Sequence, residues 1–403
     1  MKILKIIVIM FLTISIVFLS GYALSTVPEF SRLNIPCLII IFMILVCLIL
    51  LQRRKIQSYI IENKFSLRLL ILMIFQALIS TVFNPTSVNI NSFLYYSLLI
   101  TVAFLFTATI KFRSFVHFFL KIMTLVAIIA LIGFIITDII GYNPPFSLIK
   151  NVNGTVYQNG IIWFRIKYAS YSSRLMGIFW EPGLFASFST IALLLLILNP
   201  DKKRNMLKKI IFIVSLIFSQ STAGLLLLIL CLIILSVNIS GYKKYFSILI
   251  LVVLATLVLF SFNDIYNFLI NTGLPIFQKL DINVDTTSAR LNSFLINIRI
   301  FKSSPIIGFG LGETNIIFND IANNKIAQTS TSAYFMASFG FLGIIFTLVF
   351  IIAGVNIGIH KKSALISIIL PVIIIFILNK EPHSLFLCDY IFMFYLVKMR
   401  RRI

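Results

Sequence analysis

From Ala364 to Val397 the chain reads ALISIILPVIIIFILNKEPHSLFLCDYIFMFYLV. Two apolar runs, 364–379 and 384–397, flank the polar turn Lys380-Glu381-Pro382-His383, and the second run carries a lone acid, Asp389. Runs of this hydropathy, bounded by charge and Pro, are the signature of helices that cross a bilayer. Working outward, the same pattern recurs at 3–20, 35–51, 66–83, 92–110, 115–140, 182–198, 206–220, 223–239, 245–262 and 331–353. The sequence therefore predicts an all-α, polytopic integral membrane helical bundle of about twelve transmembrane helices, forming one integral membrane domain over 1–403. The run at 206–220 is short, and Ser219-Gln220-Ser221-Thr222 after it reads as the turn of a tight hairpin.

Composition agrees. The 403 residues are 60% hydrophobic and 11% charged, with 40 Phe and a mean hydropathy of +1.06, where a soluble domain carries about 25% charged residues. Cytosolic enzymes, secreted disulfide scaffolds and disordered tails are excluded. Cys37, Cys47, Cys231 and Cys388 all fall in apolar runs, without CxxC spacing or a Cys/His cluster. They read as small packed hydrophobes, so no metal and no cofactor is expected. Residues 1–25 imitate a secretory signal, with Lys2 and Lys5 ahead of an apolar stretch, but read as an uncleaved first span.

The formal charge of +22 would suggest nucleic acid if it lay on one soluble face. Its distribution says otherwise. With the N-terminus on the cytoplasmic side, the inner segments hold 23 of the 34 basic residues and only two of the twelve acids, Glu62 and Asp201. The basicity is a topology signal that sets both termini in the cytoplasm, and no nucleic acid is expected as partner.

Two outer-face loops are long, 141–181 and 263–330. They contain Trp, Tyr, Phe, Gly and charged residues rather than low-complexity sequence, which places the working site on the outer side. At the end of the first loop, Pro182 suits the first helical turn, so Glu181 falls at the N-cap with Trp180 at the membrane interface. Glu181 either acts as a general base or only caps the helix and pairs with Arg174. Lys150, Arg165, Lys167 and Arg174 against Glu181 alone leave this loop at +3, which suits a pyrophosphate headgroup, with a solvated loop touching lipid phosphate as the alternative. The Ser219–Gly224 knot reads as a close helix approach, with Gln220 or Ser221 orienting a sugar as the alternative.

In the second loop, Thr287 or Ser288 can cap a helix with Arg290 in its first turn. Arg299, nine residues on at 100° per residue, would face the opposite way, near Lys302, so the two arginines need not share a ligand. Gly308, Gly310 and Gly312, followed by Glu313, are no dinucleotide fingerprint; they read as a tight turn after Pro305, with a flexible backbone near a ligand as the alternative. His383 is the only His assigned to the outer side, so a His-dependent proton transfer there would use it. Asp389 is costly in an apolar span unless paired or hydrated, and hints at an interior polar cavity.

The order of these segments, Arg174–Ala186, the Ser-Gln-Ser knot, Arg290 with Pro305-Ile-Ile-Gly308-Phe-Gly310, and Thr331–Gly343, resembles the bacterial O-antigen polymerase and O-antigen ligase superfamily over roughly 170–350. The resemblance implies a glycosyltransferase of the inner (cytoplasmic) membrane that takes glycan from an undecaprenyl-pyrophosphate-linked oligosaccharide, at the outer face, for lipopolysaccharide O-antigen or capsule. It implies pyrophosphate handling by Arg174 and Arg290, with Arg299 a further correspondence. It also implies, as partners, membrane lipid and the chain-length regulator and flippase of the same pathway. Ligases of the superfamily use a His in the large late loop; 263–330 has none, which favours a repeat-unit polymerase. The candidate set is Glu181, Arg290, His383 and Glu313 for catalysis, and Arg174, Arg290, Arg299, Lys167, Arg165 and Trp180 for pyrophosphate and glycan. An O-antigen ligase is the near alternative. A polysaccharide flippase or other transporter, the alternative of a different class, would place its ionisable residues within the spans, where Asp389 and Lys121 are nearly alone.

Overall fold

The computed structural model describes residues 2–51, 64–142, 147–151, 154–160, 162–166, 174–198, 205–237, 285–323 and 326–399. The apolar runs fold as helices: α1 Lys2–Phe18, α2 Asn34–Leu51, α3 Lys64–Phe83, α4 Ser87–Thr109, α5 Phe112–Phe134, α6 Pro182–Leu198, α7 Met206–Phe218, α8 Thr222–Val237, α9 Asp285–Ser303, α10 Leu311–Ile321, α11 Thr331–Phe339, α12 Ile345–His360, α13 Ala364–Lys380 and α14 Leu387–Met399. The expected span at 245–262 lies outside the described residues. Among those described, five stretches are long and apolar enough to cross a membrane: Pro28–Leu51, Lys64–Phe83, Ser87–Thr109, Phe112–Ile139 and Thr331–His360. Four shorter apolar helices, Ile6–Phe18, Pro182–Leu198, Thr222–Ser236 and Ala364–Lys380, accompany them. Seventeen residues rise ~25 Å against a hydrocarbon core of ~30 Å, so the shorter helices reach across only with help from their flanks. The chain is a multi-pass, all-α membrane protein.

Contacts divide it into two compact units, one of residues 1–119, 289–363 and 370–403, the other of residues 120–288 and 364–369. In the first unit α4 packs against α2, α3, α10 and α14. Its core is aromatic: Tyr96 meets Phe335, Phe339 and Tyr390, while Phe115 stacks on Tyr395 at 5.7 Å and meets Phe392 edge-on. Such ring pairs add about 0.5–1.5 kcal/mol each beyond the area they bury. Asn89, buried at the start of α4, is a polar hub. Its Oδ1 accepts the N–H groups of Gly312 and Glu313, both at 2.9 Å, and its Nδ2 donates to the carbonyls of Asn84 and Phe309. One side chain thus caps α10, 223 residues away in sequence.

The Gly-rich stretch after Pro305 is a backbone interlock. The Phe309 and Gly310 N–H groups donate to Ala337 and Ser338 carbonyls, and Phe341 N–H donates back to Pro305. A Cβ on Gly308 (φ +73°) would sit 2.3 Å from the Ser338 carbonyl carbon, and one on Gly340 (φ +65°) 2.2 Å from the Ile306 oxygen. Only glycine permits this approach and these dihedrals, so the tight turn, rather than a ligand loop, is what the residues build. Gly340 also breaks the expected 331–353 span into α11, a 3-10 turn at Gly340–Ile344 and α12, which runs on to His360.

In the second unit α6, α7 and α8 pack together, with Phe179 stacked on Phe188 at 5.0 Å. The hairpin tip holds: α7 stops at Phe218, Gln220 takes φ +45°, and Ser221 Oγ accepts the Gly224 N–H at 3.3 Å to start α8. Before α6, the stretch expected to be a long loop folds into a three-stranded antiparallel sheet, β1 Leu148–Lys150, β2 Val156–Asn159 and β3 Phe164–Ile166, in that order. Tyr157 faces Ile149 on one side and Ile166 on the other. Strands of three and four residues are too brief for alternation to stand out, which is why the sequence did not announce them.

Candidate functional site

In the first unit, α9 turns a stripe of Ser293, Asn297 and Ile300 inward, spaced three to four residues apart as one helix face requires. Its polar members are satisfied by the segment before α11. Asn297 Nδ2 donates to Gln328 Oε1 at 2.7 Å, Gln328 Nε2 returns a bond to Asn297 Oδ1 at 2.9 Å, and Ser293 Oγ accepts the Thr329 N–H at 3.0 Å. Arg290 lies three residues before Ser293 and continues this stripe to its end, where its Nη2 meets Glu381 Oε1 at 3.4 Å. The Arg290 side chain is 42% exposed and that of Glu381 2%. A buried acid therefore holds a cation that still presents N–H groups to solvent, since guanidinium has five donors. Arg299 and Lys302 are exposed elsewhere on α9, as the helical angle predicts.

Glu381 belongs to the polar turn between α13 and α14. Thr331 Oγ1 accepts the His383 N–H at 2.8 Å and donates to the Glu381 carbonyl at 3.3 Å, while Asn379 Oδ1 accepts from Ser330 Oγ and the Ser332 N–H. His383 is fully buried, and its Nδ1 lies 2.7 Å from Asp389 Oδ2, the geometry of a ring N–H donated to a carboxylate. The intramembrane acid is thus paired rather than facing water. Lys380, Glu381, His383 and Asp389 are all buried within this one turn and the helix start beyond it. Buried ionisable groups are retained only where partners offset their desolvation.

Glu313 lies elsewhere in the same unit, third residue of α10, where its Oε2 accepts from Thr86 Oγ1 at 3.3 Å. Its carboxylate faces a helix start and a hydroxyl, the surroundings of a structural acid. The expectation that Thr287 or Ser288 caps the Arg290 helix is corrected. That helix begins at Asp285, so both lie inside it and Arg290 is in the second turn.

In the second unit, α5 ends in a π-helical turn, Ile135–Ile139, that carries Asp138. Asp138 Oδ1 meets Arg165 Nη2 of β3 at 2.7 Å, and Asp138 Oδ2 accepts from Thr137 Oγ1 at 2.7 Å. The formal charge of 141–181 stays +3, and Asp138, just outside that stretch, pairs with one of its four cations, Arg165. Phe164 N–H donates to the Gly177 carbonyl, which lays the Arg174–Gly177 segment beside β3. Asp138, Trp163, Arg165 and Arg174 share one shallow cleft of about 10 Å³. Tyr157 OH donates to the Trp180 carbonyl at 3.0 Å, bracing the start of α6. Phe185 N–H donates to the Glu181 carbonyl at 3.2 Å, and the Glu181 side chain is exposed. Lys150 is exposed on β1, and Lys167 lies outside the described residues.

The structure thus brings Arg290 together with Glu381, His383 and Asp389 in one unit, and Arg165 with Arg174 in the other. Sequence reasoning missed Lys380, Thr331, Gln328 and Asp138. The run Asn379-Lys380-Glu381-Pro382-His383-Ser384 between two spans was the available signal for the first; Asp138 was hidden by its apolar neighbours. Among the described residues, no group of three or more His, Cys, Asp or Glu could hold a metal.

No curated protein matches the chain significantly. Residues 209–351 match the family described as O-Antigen ligase, and residues 6–269 match the family described as WcaD colanic acid polymerase. The two matches together make this a membrane protein of the polysaccharide polymerase and ligase type, and with about two thirds of its length covered by the second, the chain belongs to the WcaD colanic acid polymerase family.

Proposed function

We propose that the protein is a repeat-unit polymerase that moves a growing glycan from undecaprenyl pyrophosphate to the next lipid-linked repeat on the outer face of the cytoplasmic membrane. The acceptor hydroxyl oxygen bonds to the anomeric carbon of the donor, the bond from that carbon to pyrophosphate breaks, and the hydroxyl proton leaves to a base. The leaving lipid diphosphate gathers negative charge, and a fixed guanidinium stabilises it without a proton transfer of its own. The observation that carries this reading is the Arg290–Glu381 pair, an exposed cation anchored by a buried carboxylate. Glu381 restricts the rotamers of Arg290, so little entropy remains to be lost when diphosphate binds.

In this reading Arg174 is a second anionic-headgroup contact, tested on its own, and Arg299 a weaker one. His383 is buried and acts by position, as does Glu313; Glu181, exposed at the start of α6, is the candidate base that solvent reaches. The loops 141–181 and 263–330 face outward, both termini lie in the cytoplasm, and the partners are the lipid-linked oligosaccharide, the bilayer, and the pathway's flippase and chain-length regulator. The product is an O-antigen or capsular polymer. Purified protein supplied with lipid-linked repeat is expected to make a ladder of chain lengths without another enzyme. Arg290→Ala is expected to abolish long chains while single repeats persist, and unchanged ladders in both Arg174→Ala and Arg290→Ala would refute the proposal.

The match of residues 209–351 to O-Antigen ligase supports a second reading, transfer of finished glycan to lipid A core. Gene deletion then leaves lipid-linked polymer accumulating unattached, whereas loss of a polymerase leaves short chains.

A further inference from the structure

Arg290 and Glu381 meet at 3.4 Å, longer than the about 2.7–2.9 Å of a strong charge-assisted bond. Glu381 narrows the rotamers of the guanidinium, but a contact this long does not fix how far α9 stands from the turn that carries the acid. Another element must set that distance. The segment between α10 and α11 touches both sides.

Toward α9, Gln328 is the fastening. Its Oε1 accepts from Asn297 Nδ2 at 2.7 Å and from Ser293 Oγ at 3.0 Å, and its Nε2 donates to Asn297 Oδ1 at 2.9 Å. The next residue adds the Thr329 N–H to Ser293 Oγ bond. Ser293 and Asn297 have no exposed surface, so water cannot replace these bonds and breaking them leaves desolvated polar groups. Toward the turn, Ser330 Oγ and the Ser332 N–H donate to Asn379 Oδ1, and Thr331 Oγ1 joins the His383 N–H to the Glu381 carbonyl. Thr329 ends the grip on α9 and Ser330 begins the grip on the turn, with no residue between them. The chain therefore has no slack in which to absorb a displacement of Gln328.

We infer that Gln328 is a positioning residue for Arg290: by pairing with Asn297 and Ser293 it sets the distance between the guanidinium and Glu381. Arg290 stands one turn of α9 from Ser293, so it moves with the face that Gln328 grips. The inference rests on the proposed role of Arg290 in transfer. Gln328 acts only through that side chain, and a misplacement of about 1 Å at a group that stabilises the transition state costs about a hundredfold in rate.

The test uses the full chain in detergent, supplied with lipid-linked repeat. Gln328→Met keeps the length of the side chain and loses its bonds; Ser293→Ala loses the bonds through Oγ in a change of one atom, and carries the same readouts should Gln328→Met not fold. In folded, monodisperse Gln328→Met, kcat is expected to fall by about tenfold or more while KM for the repeat stays within about twofold, the pattern of an interaction made in the transition state. Ser293→Ala is expected to lose less. Added to Arg290→Lys, Gln328→Met is expected to cost less than about a further twofold, because a compact ammonium without the planar fork gains little from exact placement. A residue that only supported the fold would multiply with Arg290→Lys in full. Independently of activity, phenylglyoxal modification of Arg290, followed by mass spectrometry, is expected to rise severalfold in Gln328→Met as the guanidinium leaves Glu381. Wild-type labelling of Arg290 in Gln328→Met, or losses that multiply in full, overturns the inference. A ladder lost in Arg290→Ala with a wild-type kcat in Gln328→Met refutes the positioning alone; a ladder intact in Arg290→Ala refutes transfer at Arg290, and the part of Gln328 in it.

Discussion

Replacing Asp389 with Ala removes the carboxylate that His383 Nδ1 meets at 2.7 Å, in a place where the imidazole has no exposed surface. Water cannot take the place of the lost partner, so the ring nitrogen is left desolvated and unsatisfied, a cost of about 1–3 kcal/mol. If the pair is ionised, removing one member of a buried ion pair raises this to about 3–5 kcal/mol. Asp389→Asn supplies an amide oxygen that accepts the same N–H, so the difference is that between a charge-assisted and a neutral bond, about 1 kcal/mol. The assay is urea unfolding of the detergent-solubilised full chain by tryptophan fluorescence, for wild type, Asp389→Ala, Asp389→Asn, His383→Ala and the double Ala variant. A coupling energy of about 1–2 kcal/mol between the two sites is expected, inside the range seen for contacting residues. Coupling below about 0.5 kcal/mol, or Asp389→Asn as damaging as Asp389→Ala, would show that the contact does not organise this turn. The consequence reaches function because His383 is two residues from Glu381, the acid that anchors Arg290. Asp389→Ala is therefore expected to shorten polymer chains, and Asp389→Asn to restore most of their length.

Further expected outcomes are equally concrete. Arg290→Lys keeps the charge but loses the planar donor fork, and is expected to retain only a small fraction of long-chain product in the ladder assay, with Arg299→Ala losing less. Asn89→Ala leaves the Gly312 and Glu313 N–H groups without their cap, and a loss of about 0.5–2 kcal/mol in the same unfolding assay is expected. Gly308→Ala sets a Cβ 2.3 Å from backbone at φ +73°; overpacking alone costs about 1–3 kcal/mol, and the dihedral adds to it, so low yield and a lowered unfolding midpoint are expected. A Gly308→Ala protein as stable as wild type would mean that the interlock with Ser338 is not rigid.

Hydropathy alone placed most of the helices, because a bilayer core demands long uncharged runs with their backbone bonds satisfied internally, and that demand is written residue by residue in 364–397. Local chemistry was legible too. Pro182 at a helix start, the Ser219–Thr222 turn and the opposite facing of Arg290 and Arg299 follow from dihedral limits and 100° steps, which need no tertiary partner. Partnership was not legible. That Arg290 meets Glu381, 91 residues on, that Asn89 caps α10, and that Asp138 pairs with Arg165 are properties of packed side chains far apart in sequence. A buried charge is tolerable or ruinous according to what the fold sets beside it. The three short strands belong with them: too brief to show a period, they exist because pairing with one another and with the Gly177 segment satisfies backbone groups that a free loop would have to leave to water.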